Sequence, residues 1–302
     1  MKKLAIAAAA AAALLSAGSA FAEGSTFTFS SYPAPEQAQP SEPVWQKAPL
    51  KDWPASNLDI PDTPTPTSAA ASVTPGLRVE VGAAVEHESY ETDGADGQHK
   101  YEAVLPGVKL GVAQTLHNGD EIAGSVSYFR GTSSYSGPVA GAPEHSVSVD
   151  GLDRSMLIAD ARYKWQTGFY QTALLVGVGY RMLDDSGVAR SGQYFRRNHR
   201  VYASLGVARP FRFAQAWTVT PRLEYRHIIL GRQYSDLGNG ASVSEHGFGA
   251  EAAVDITYHS GGRDLVFTPY ARMWHVSSSG ANAMTESKSR TREVGVAVTI
   301  RF

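Results

Sequence analysis

The chain of 302 residues contains no cysteine, which excludes a disulfide framework and a lipid-modified N-terminal cysteine. It also lacks any apolar run of the roughly 20 residues that a membrane-spanning helix requires. Its 27 basic and 29 acidic residues nearly balance, so the cationic footprint of a nucleic-acid-binding protein is missing. No metal-ligand cluster, phosphate loop or nucleotide motif is present. We therefore expect no metal, no cofactor and no nucleic-acid partner.

The N-terminus has the features of a secretory signal. Lys2 and Lys3 precede an apolar run from Leu4 to Leu15, and Ala20-Phe21-Ala22 forms a small-x-small cleavage site. The run is too short to span a membrane as a helix. Residues 1–22 are therefore predicted to be a signal peptide that directs export.

Residues 23–76 differ in composition from the rest of the chain, because they hold ten of its sixteen prolines. Such a segment cannot hold a sheet and lacks helical periodicity, so we expect a disordered, extended, polyproline-like periplasmic linker. Two alternatives stay open. The segment either contacts a periplasmic partner or enters the mouth of the following domain as a plug.

From residue 77 onward the chain alternates between apolar and polar residues, which predicts strands. Ten strands are predicted, near 77–92, 101–116, 121–135, 154–165, 169–183, 197–210, 216–234, 246–258, 265–279 and 290–302. Short turns are expected at 117–120, 166–168, 211–215 and 259–264. Longer loops are expected at 93–100, 136–153, 184–196, 235–245 and 280–289. An even strand number with alternating short and long connections is typical of bacterial transmembrane barrels, and it predicts that both termini are periplasmic.

The last nine residues carry the most specific signal. Val294, Val296, Val298, Ile300 and Phe302 are apolar at every second position, and the chain stops on the aromatic. This pattern resembles the C-terminal signature of bacterial outer-membrane β-barrels, which implies recognition by the barrel-assembly machinery. Val298, Ile300 and Phe302 are the predicted assembly signal. The resemblance implies an all-β fold, a closed antiparallel transmembrane barrel of about ten strands over residues 77–302.

Strand phase assigns each side chain to one of two faces. One face is apolar, and its aromatics cluster near the predicted periplasmic strand ends, where a membrane girdle belongs. These aromatics are Trp165, Tyr170, Phe211, Trp217, Tyr258, Phe267 and Phe302. The prolines at 106, 221 and 269 fall inside predicted strands, where each removes a ladder donor, so bulges or strand ends are expected there.

The other face carries charges of both signs, which are expected to pair inside a narrow lumen because an unpaired buried charge is costly. The predicted lumen network consists of Arg222, Glu224, Arg226, Glu251, Asp255 and Arg272. Small barrels are filled by side chains, so a structural interior is the first interpretation. A narrow solute channel lined by these charges is the alternative.

Two catalytic possibilities arise from the barrel size and one motif. Omptin proteases have ten strands, but Asp184-Asp185 is not accompanied by a His-x-Asp or Asp-x-His pair. Residues 272–277 resemble the Arg-x-x-His-x-Ser motif of the lipid A deacylase barrels. That resemblance implies ester hydrolysis, with Ser277 as nucleophile and His275 as general base.

The sequence departs from the deacylase pattern in three ways. Arg292 stands where that family has the carboxylate that orients its histidine, and Ser278 stands where it has asparagine. That family's barrel also has eight strands. Glu293 is predicted to point inward, and Glu286 lies in a predicted loop. Esterase activity is therefore the second alternative function, and whether the chain is an enzyme is left open.

The function favoured by the sequence is a structural, surface-interaction or adhesin-like role in the outer membrane, with the lumen largely filled by paired charges. The expected partners are outer-membrane lipid and lipopolysaccharide. Arg290 and Arg292 are predicted at the outer rim, where guanidinium groups bind anionic lipid phosphates.

Overall fold

The computed structural model describes residues 76–94, 97–139, 142–169, 171–185, 196–235, 241–277 and 288–302. These residues form one antiparallel sheet that closes on itself through ten long strands. The strands are β1 (Leu77–Gly94), β2 (Gly97–Thr115), β3 (Glu121–Val139), β4 (Ala142–Gln166), β5 (Ala173–Asp185), β6 (Arg196–Ala208), β8 (Trp217–Ser235), β10 (His246–Ser260), β11 (Arg263–Ser277) and β12 (Ser289–Arg301), with the short β7 (Phe211–Ala214) and β9 (Ala241–Ser244) attached to β8. None of the described residues belongs to a helix long and apolar enough to cross a membrane.

Closure of the sheet confirms the predicted ten-stranded antiparallel barrel. Neighbours in sequence pair along most of the wall, β8 pairs with β10, and β1 pairs with β12 from Glu80↔Arg301 to Thr92↔Ser289. We call the end that holds Leu77 and Arg301 the base, and the opposite end the distal end. Closure leaves no long strand of the wall with an open edge along its whole length. The predicted signal peptide and most of the proline-rich extension lie outside the described residues.

Turns at the base are short and held by side chains. In the β2–β3 turn, Asp120 accepts hydrogen bonds from the Tyr163 hydroxyl, from the Gln166 backbone N–H at 2.8 Å and from Asn118 Nδ2 at 2.6 Å. The bond from Tyr163, followed by that from Gln166, lowers the pKa of the Asp120 carboxyl. One carboxylate therefore ties this turn to the end of β4.

Several predicted loops are wrong, because the strands continue further at the distal end. The predicted loop 93–100 is mostly strand, since β1 and β2 pair as far as Gly94↔Gly97. Most of 136–153 is strand in β3 and β4, and 235–245 contains β9. At the base, the predicted turn 211–215 contains β7. Segments 136–153 and 235–245 are rich in serine and glycine, so their composition resembles a loop although much of their backbone pairs as a sheet.

The outer surface is an apolar band bordered by aromatic rings. On β10, both Phe248 and Tyr258 point outward, and Trp217 contacts Tyr258 with ring centroids 4.9 Å apart. Ten residues separate Phe248 from Tyr258. At about 3.3 Å per residue and a tilt of about 40°, they span about 25 Å of height, the thickness of the apolar band on a transmembrane barrel. The other basal aromatics predicted for the girdle are also exposed, except Tyr170, which lies outside the described residues.

Aromatic rings that face the lumen lie against glycines on the neighbouring strand. Four directly paired positions combine a glycine with a ring: Gly107 with Phe129, Gly179 with Tyr202, Gly249 with Trp274 and Gly295 with Tyr270. A Cβ atom at any of the four would lie 2.3–2.7 Å from the opposing ring or its hydroxyl. The glycines therefore let large rings lie flat against the wall of a narrow barrel.

At the distal end the wall is taller on one side. β4 has 25 residues, but β5 pairs with it only from Arg154 to Gln166. The extended hairpins pack through a small core of Tyr90, Tyr101, Tyr135 and Leu152. The Arg196 guanidinium lies 4.1 Å from the Tyr90 ring centroid and 4.7 Å from that of Tyr101. Cation–π contacts thus join the extension to the barrel wall.

The strand prolines do not produce the expected bulges. The β2–β3 ladder omits the pairs around Pro106 and continues in the same register, and the β10–β11 ladder does so around Pro269. Pro221 pairs in register with Val254. Register shifts occur elsewhere, for example between Val201 and Tyr202. One missing N–H removes a hydrogen bond, but the side-chain alternation of a closed barrel resists a change of register.

Candidate functional site in the lumen

Glu251 on β10 is the centre of the charge network predicted from the sequence. Its carboxylate accepts hydrogen bonds from Arg222 at 3.0 Å, Arg226 at 2.7 Å and Arg272 at 2.8 Å. Arg222 also lies 2.9 Å from Glu224 and 3.6 Å from Asp255. The structure thus brings together all six predicted network residues. They meet because β8, β10 and β11 are adjacent and each places these positions inward.

The network extends further than the sequence indicated. Within the described residues, eight arginines form ion pairs with nine carboxylates of the lumen. These are Arg154, Arg162, Arg181, Arg196, Arg200, Arg222, Arg226 and Arg272, with Glu86, Glu88, Asp160, Asp185, Glu224, Glu245, Glu251, Asp255 and Glu293. Each of these carboxylates has at least one arginine partner, which satisfies the requirement that buried charges be paired.

Sequence reasoning missed the distal part of this network. Asp185, Arg196 and Glu245 fell in predicted loops, where strand phase was not applied, yet all three are buried. Glu88 was also missed, although it lies two residues after Glu86 and therefore has the same phase. The strand phase alone was sufficient to predict that Glu88 points inward. Asp185, Arg196 and Glu245 could be predicted only if the strand ends were known.

Ion pairs and rings cross the lumen from one wall to the opposite wall. Arg181 on β5 donates to Glu293 on β12 at 2.6 Å, although four strands separate β5 from β12 in either direction around the barrel. Tyr202 on β6 contacts Trp274 on β11, with ring centroids 5.1 Å apart. Both arginine–ring and ring–ring contacts surround Trp274, which is fully buried. The middle of the lumen is therefore filled.

Below this layer the lumen opens into a cavity of about 190 Å³ at the base, which we call the basal vestibule. Small residues leave space in this part of the lumen. They are Gly111, Ala113, Ala123, Gly124 and Ala208. A smaller space of about 50 Å³ leads upward and is bordered by Phe129, Tyr270 and Arg272. The charged residues that line the vestibule are Arg78, Glu80, Lys109, Glu121, Asp160, Arg162, Lys164, Arg222, Asp255 and Arg301.

The residues of the predicted esterase lie outside the lumen. Trp274 and Val276 point inward, so His275 and Ser277 lie on the outer face at the distal end of β11. The His275 ring contacts Phe248 at 5.4 Å between centroids, and its directly paired residue on β12 is Arg290. Neither neighbouring strand places a carboxylate opposite His275. A cation in that position cannot orient a histidine as a general base or stabilise its protonated form.

The acidic pair considered for protease chemistry is bound by arginines. Asp184 forms an ion pair with Arg197, and Asp185 pairs with both Arg154 and Arg196, at 2.9 Å for Arg196. Asp185 and its partners are buried in the distal lumen, whereas Asp184 and Arg197 have the opposite phase and lie on the outer face. Among the described residues, no group of three or more histidine, aspartate or glutamate side chains is arranged to hold a metal ion.

The remaining predicted residues lie on the outer surface. Arg290 and Arg292 are exposed at the distal part of β12, where Arg292 pairs across the sheet with Met273. Val298, Ile300 and Phe302 are exposed at the basal end of the same strand. Glu286 lies outside the described residues. One strand thus presents apolar residues toward the base and guanidinium groups toward the distal end.

Comparison with known proteins identifies the fold. No protein-family model matches the chain, and no curated protein matches its sequence. Among solved structures, the outer membrane protease OmpT from Escherichia coli is 8% identical with a TM-score of 0.50, and the match covers 77% of this chain and 99% of OmpT. Neisserial surface protein A is 14% identical with a TM-score of 0.35, over 75% of this chain and 99% of that protein. The match to OmpT shows that the chain has the fold of a bacterial outer-membrane barrel, and identities this low carry no information on activity.

Proposed function

We propose that this chain is an outer-membrane barrel with a closed lumen, which acts through its outer and distal surfaces and not by transport or catalysis. The observation that carries the proposal is the ion pair between Arg181 and Glu293, which joins diametrically opposite strands. A solute would have to separate these charges and displace Trp274. Breaking one buried pair costs about 3–5 kcal/mol, so the filled lumen opposes passage.

The location follows from the outer surface. A closed barrel with an apolar band about 25 Å high and aromatic rings at its borders is suited to a bilayer and not to water. We infer that the base faces the periplasm and the distal end faces the cell exterior, because the barrel wall extends furthest at the distal end. The tall distal hairpins then stand above the membrane as the surface available to external partners.

Lipopolysaccharide is the partner that the outer surface fits. Arg290 and Arg292 project outward from adjacent outward positions of β12, at the level where lipid A phosphates would lie. Guanidinium groups bind phosphate through two parallel hydrogen bonds, which are stronger than neutral hydrogen bonds. Contact with lipopolysaccharide would therefore anchor the barrel at its outer rim.

Planar bilayer recordings test the closed lumen. We expect the inserted full-length chain to produce no discrete conductance steps. Steps of fixed size that change in Arg222→Ala or Glu251→Ala would establish a channel and refute the proposal. Insertion is verified in the same sample by the shift in gel mobility between heated and unheated protein.

Thermal unfolding with and without lipopolysaccharide tests the partner. We expect lipopolysaccharide to raise the Tm of the natural chain and to raise it less in Arg290→Ala/Arg292→Ala. Arg212→Ala/Arg263→Ala removes two basal arginines and is the matched control, which should respond like the natural chain. An equal response of both double variants would contradict the assignment. Loss of an acyl chain from lipid A, abolished by Ser277→Ala, would instead establish the esterase.

A further inference from the structure

The basal vestibule lies where the chain enters the barrel. Gly76 precedes β1, and its carbonyl accepts a hydrogen bond from the Thr115 backbone N–H at 3.0 Å, which fixes the entry point at the base. Arg78, two residues later, lines the vestibule and has a side chain that is 39% exposed. The C-terminal end of residues 23–75 is therefore joined to the barrel at the mouth of a solvent-accessible cavity.

The vestibule has an excess of positive charge. Its lining contains six basic and four acidic side chains, a net charge of +2. Most are paired with each other, as Lys109 and Arg301 are with Glu80. Lys164 differs, since within the described part of the chain no carboxylate lies within ion-pair distance of it. Glu121, its directly paired residue on β3, is bound by Arg78 instead.

The segment that enters at this mouth has the opposite charge. Residues 23–75 contain six acidic residues and two lysines, a net charge of −4. The acidic residues closest to the barrel are Asp59 and Asp62. Fourteen residues separate Asp62 from Gly76, a distance of about 20 Å for a flexible coil and about 45 Å for a polyproline helix. Both values allow these carboxylates to reach the vestibule.

We propose that the acidic part of residues 23–75 docks in the basal vestibule and that Lys164 is the main cation it binds. The tether raises the effective concentration of the segment to the millimolar range, so modest contacts are sufficient for docking. The small residues of the wall provide the space, and the charged layer around Glu251 limits the depth of entry. The docked segment then lies at the base of the lumen, below the layer that already fills its middle.

Disulfide trapping tests the docking. The chain has no natural cysteine, so only the introduced thiols can form a disulfide. Ile60→Cys, between the two aspartates, is combined with Ala113→Cys, which lines the vestibule. The control combines Ile60→Cys with Val79→Cys, because Val79 lies at a similar height but points outward with 44% exposure. We expect the inner pair to form a disulfide several times faster than the outer pair in the full-length chain. Equal rates would refute docking.

Charge reversal tests the role of Lys164. Lys164→Glu should slow trapping of the inner pair, and Asp59→Lys/Asp62→Lys in the same chain should restore it. Arg263→Glu is the control and should leave the rate unchanged. Arg263 lies at the base of β11 with the outward phase of Leu265, and its guanidinium contacts the exposed Phe302 ring. If Lys164→Glu has no effect, or the reversed pair does not restore the rate, the electrostatic assignment is wrong.

A free anion is the competing occupant, and a binding measurement separates it from the segment. Calorimetric titration with inorganic phosphate is performed on the full-length chain and on Lys164→Glu. We expect no Lys164-dependent phosphate binding, because the segment occupies the site. Such binding, together with equal trapping of the inner and outer cysteine pairs, would identify a solute site and overturn the proposal.

Discussion

At the scale of single residues, the lumen is organised by carboxylates that each bind more than one arginine. Glu251 binds three, and Glu293 accepts hydrogen bonds from Arg181 and Arg272, both at 2.6 Å. Arginine suits this arrangement because its planar group can donate to several acceptors and remains charged when buried. Shared pairing places a charge of opposite sign between neighbouring arginines.

Replacing Glu293 by alanine should show the strength of this arrangement. Glu293→Ala leaves Arg181 and Arg272 without a shared acceptor, so we expect the free energy of unfolding to fall by about 3–5 kcal/mol. The measurement is urea unfolding in lipid vesicles, followed by tryptophan fluorescence. Val294→Ala, on the outer face of the same strand, should cost only about 1 kcal/mol from lost apolar burial.

The joint replacement Arg181→Met/Glu293→Leu separates two causes of the lost stability. One is the arginine charge left without its carboxylate, and the other is the loss of side-chain packing. Removing both charges should recover part of the stability lost in Glu293→Ala, because Arg181 is then absent and Arg272 keeps its pair with Glu251. A loss in Glu293→Ala no larger than that in Val294→Ala would mean that the charges are not buried as described.

At the scale of strands, the lumen is filled by rings that lie over glycines on adjacent strands. This pairing occurs on β2–β3, β5–β6, β10–β11 and β11–β12, so it is distributed around the barrel. A glycine inside a strand normally weakens it, since it packs no side chain and loses more backbone entropy. Here the opposing ring occupies the space above the glycine and compensates for the missing side chain.

Gly249→Val should therefore disrupt the lumen while leaving the outer surface intact. A Cβ atom at Gly249 would lie 2.7 Å from a ring carbon of Trp274 and 2.9 Å from the Met273 carbonyl oxygen. Overpacking of this kind typically costs about 1–3 kcal/mol. We expect lower stability in urea and a red-shifted tryptophan emission as the Trp274 indole moves.

The matched control for this change is Ala252→Val on the outward face of the same strand. Ala252 is exposed on the apolar surface, where a larger aliphatic side chain meets lipid and no neighbouring ring. Its stability should equal or exceed that of the natural chain. Similar losses in both variants would mean that valine disturbs β10 itself and not the packing of Trp274.

At the scale of the whole molecule, the two ends of the barrel differ in height, charge and openness. The distal end carries extended hairpins and a lumen filled by ion pairs, whereas the base has short connections and an open vestibule. In outer-membrane barrels the taller end faces the cell exterior and the end with short turns faces the periplasm, so this asymmetry predicts the orientation of the chain. The proposed contact with lipopolysaccharide depends on that orientation.

Cysteine labelling on whole cells tests the orientation directly. Ser148→Cys introduces a thiol on the exposed distal part of β4, and Arg212→Cys introduces one at the base. A membrane-impermeant maleimide should label Ser148→Cys on intact Gram-negative cells. Arg212→Cys should react only after the outer membrane is permeabilised. The reverse pattern would place the base outside and remove the support for the contact with lipopolysaccharide.

The sequence by itself determined the number of strands and the face of each side chain. Alternation is a local property of an extended backbone, so Leu175 and Arg181 could be assigned inward and Val176 outward without knowing any neighbour. The same property placed His275 and Ser277 on the outer surface. Alternation did not predict the distal strand ends. Serine-rich segments there have the composition of loops, but their backbone continues to pair in the sheet.

Only the tertiary structure decided which side chains meet across the barrel. Arg181 and Glu293 are 112 positions apart, and their contact depends on the register of every intervening strand pair around the closed wall. The register also placed Arg290 beside His275, and the sizes of distant lumen residues left the vestibule open at the base. These features arise from closure of the sheet, because closure converts local alternation into a shared interior.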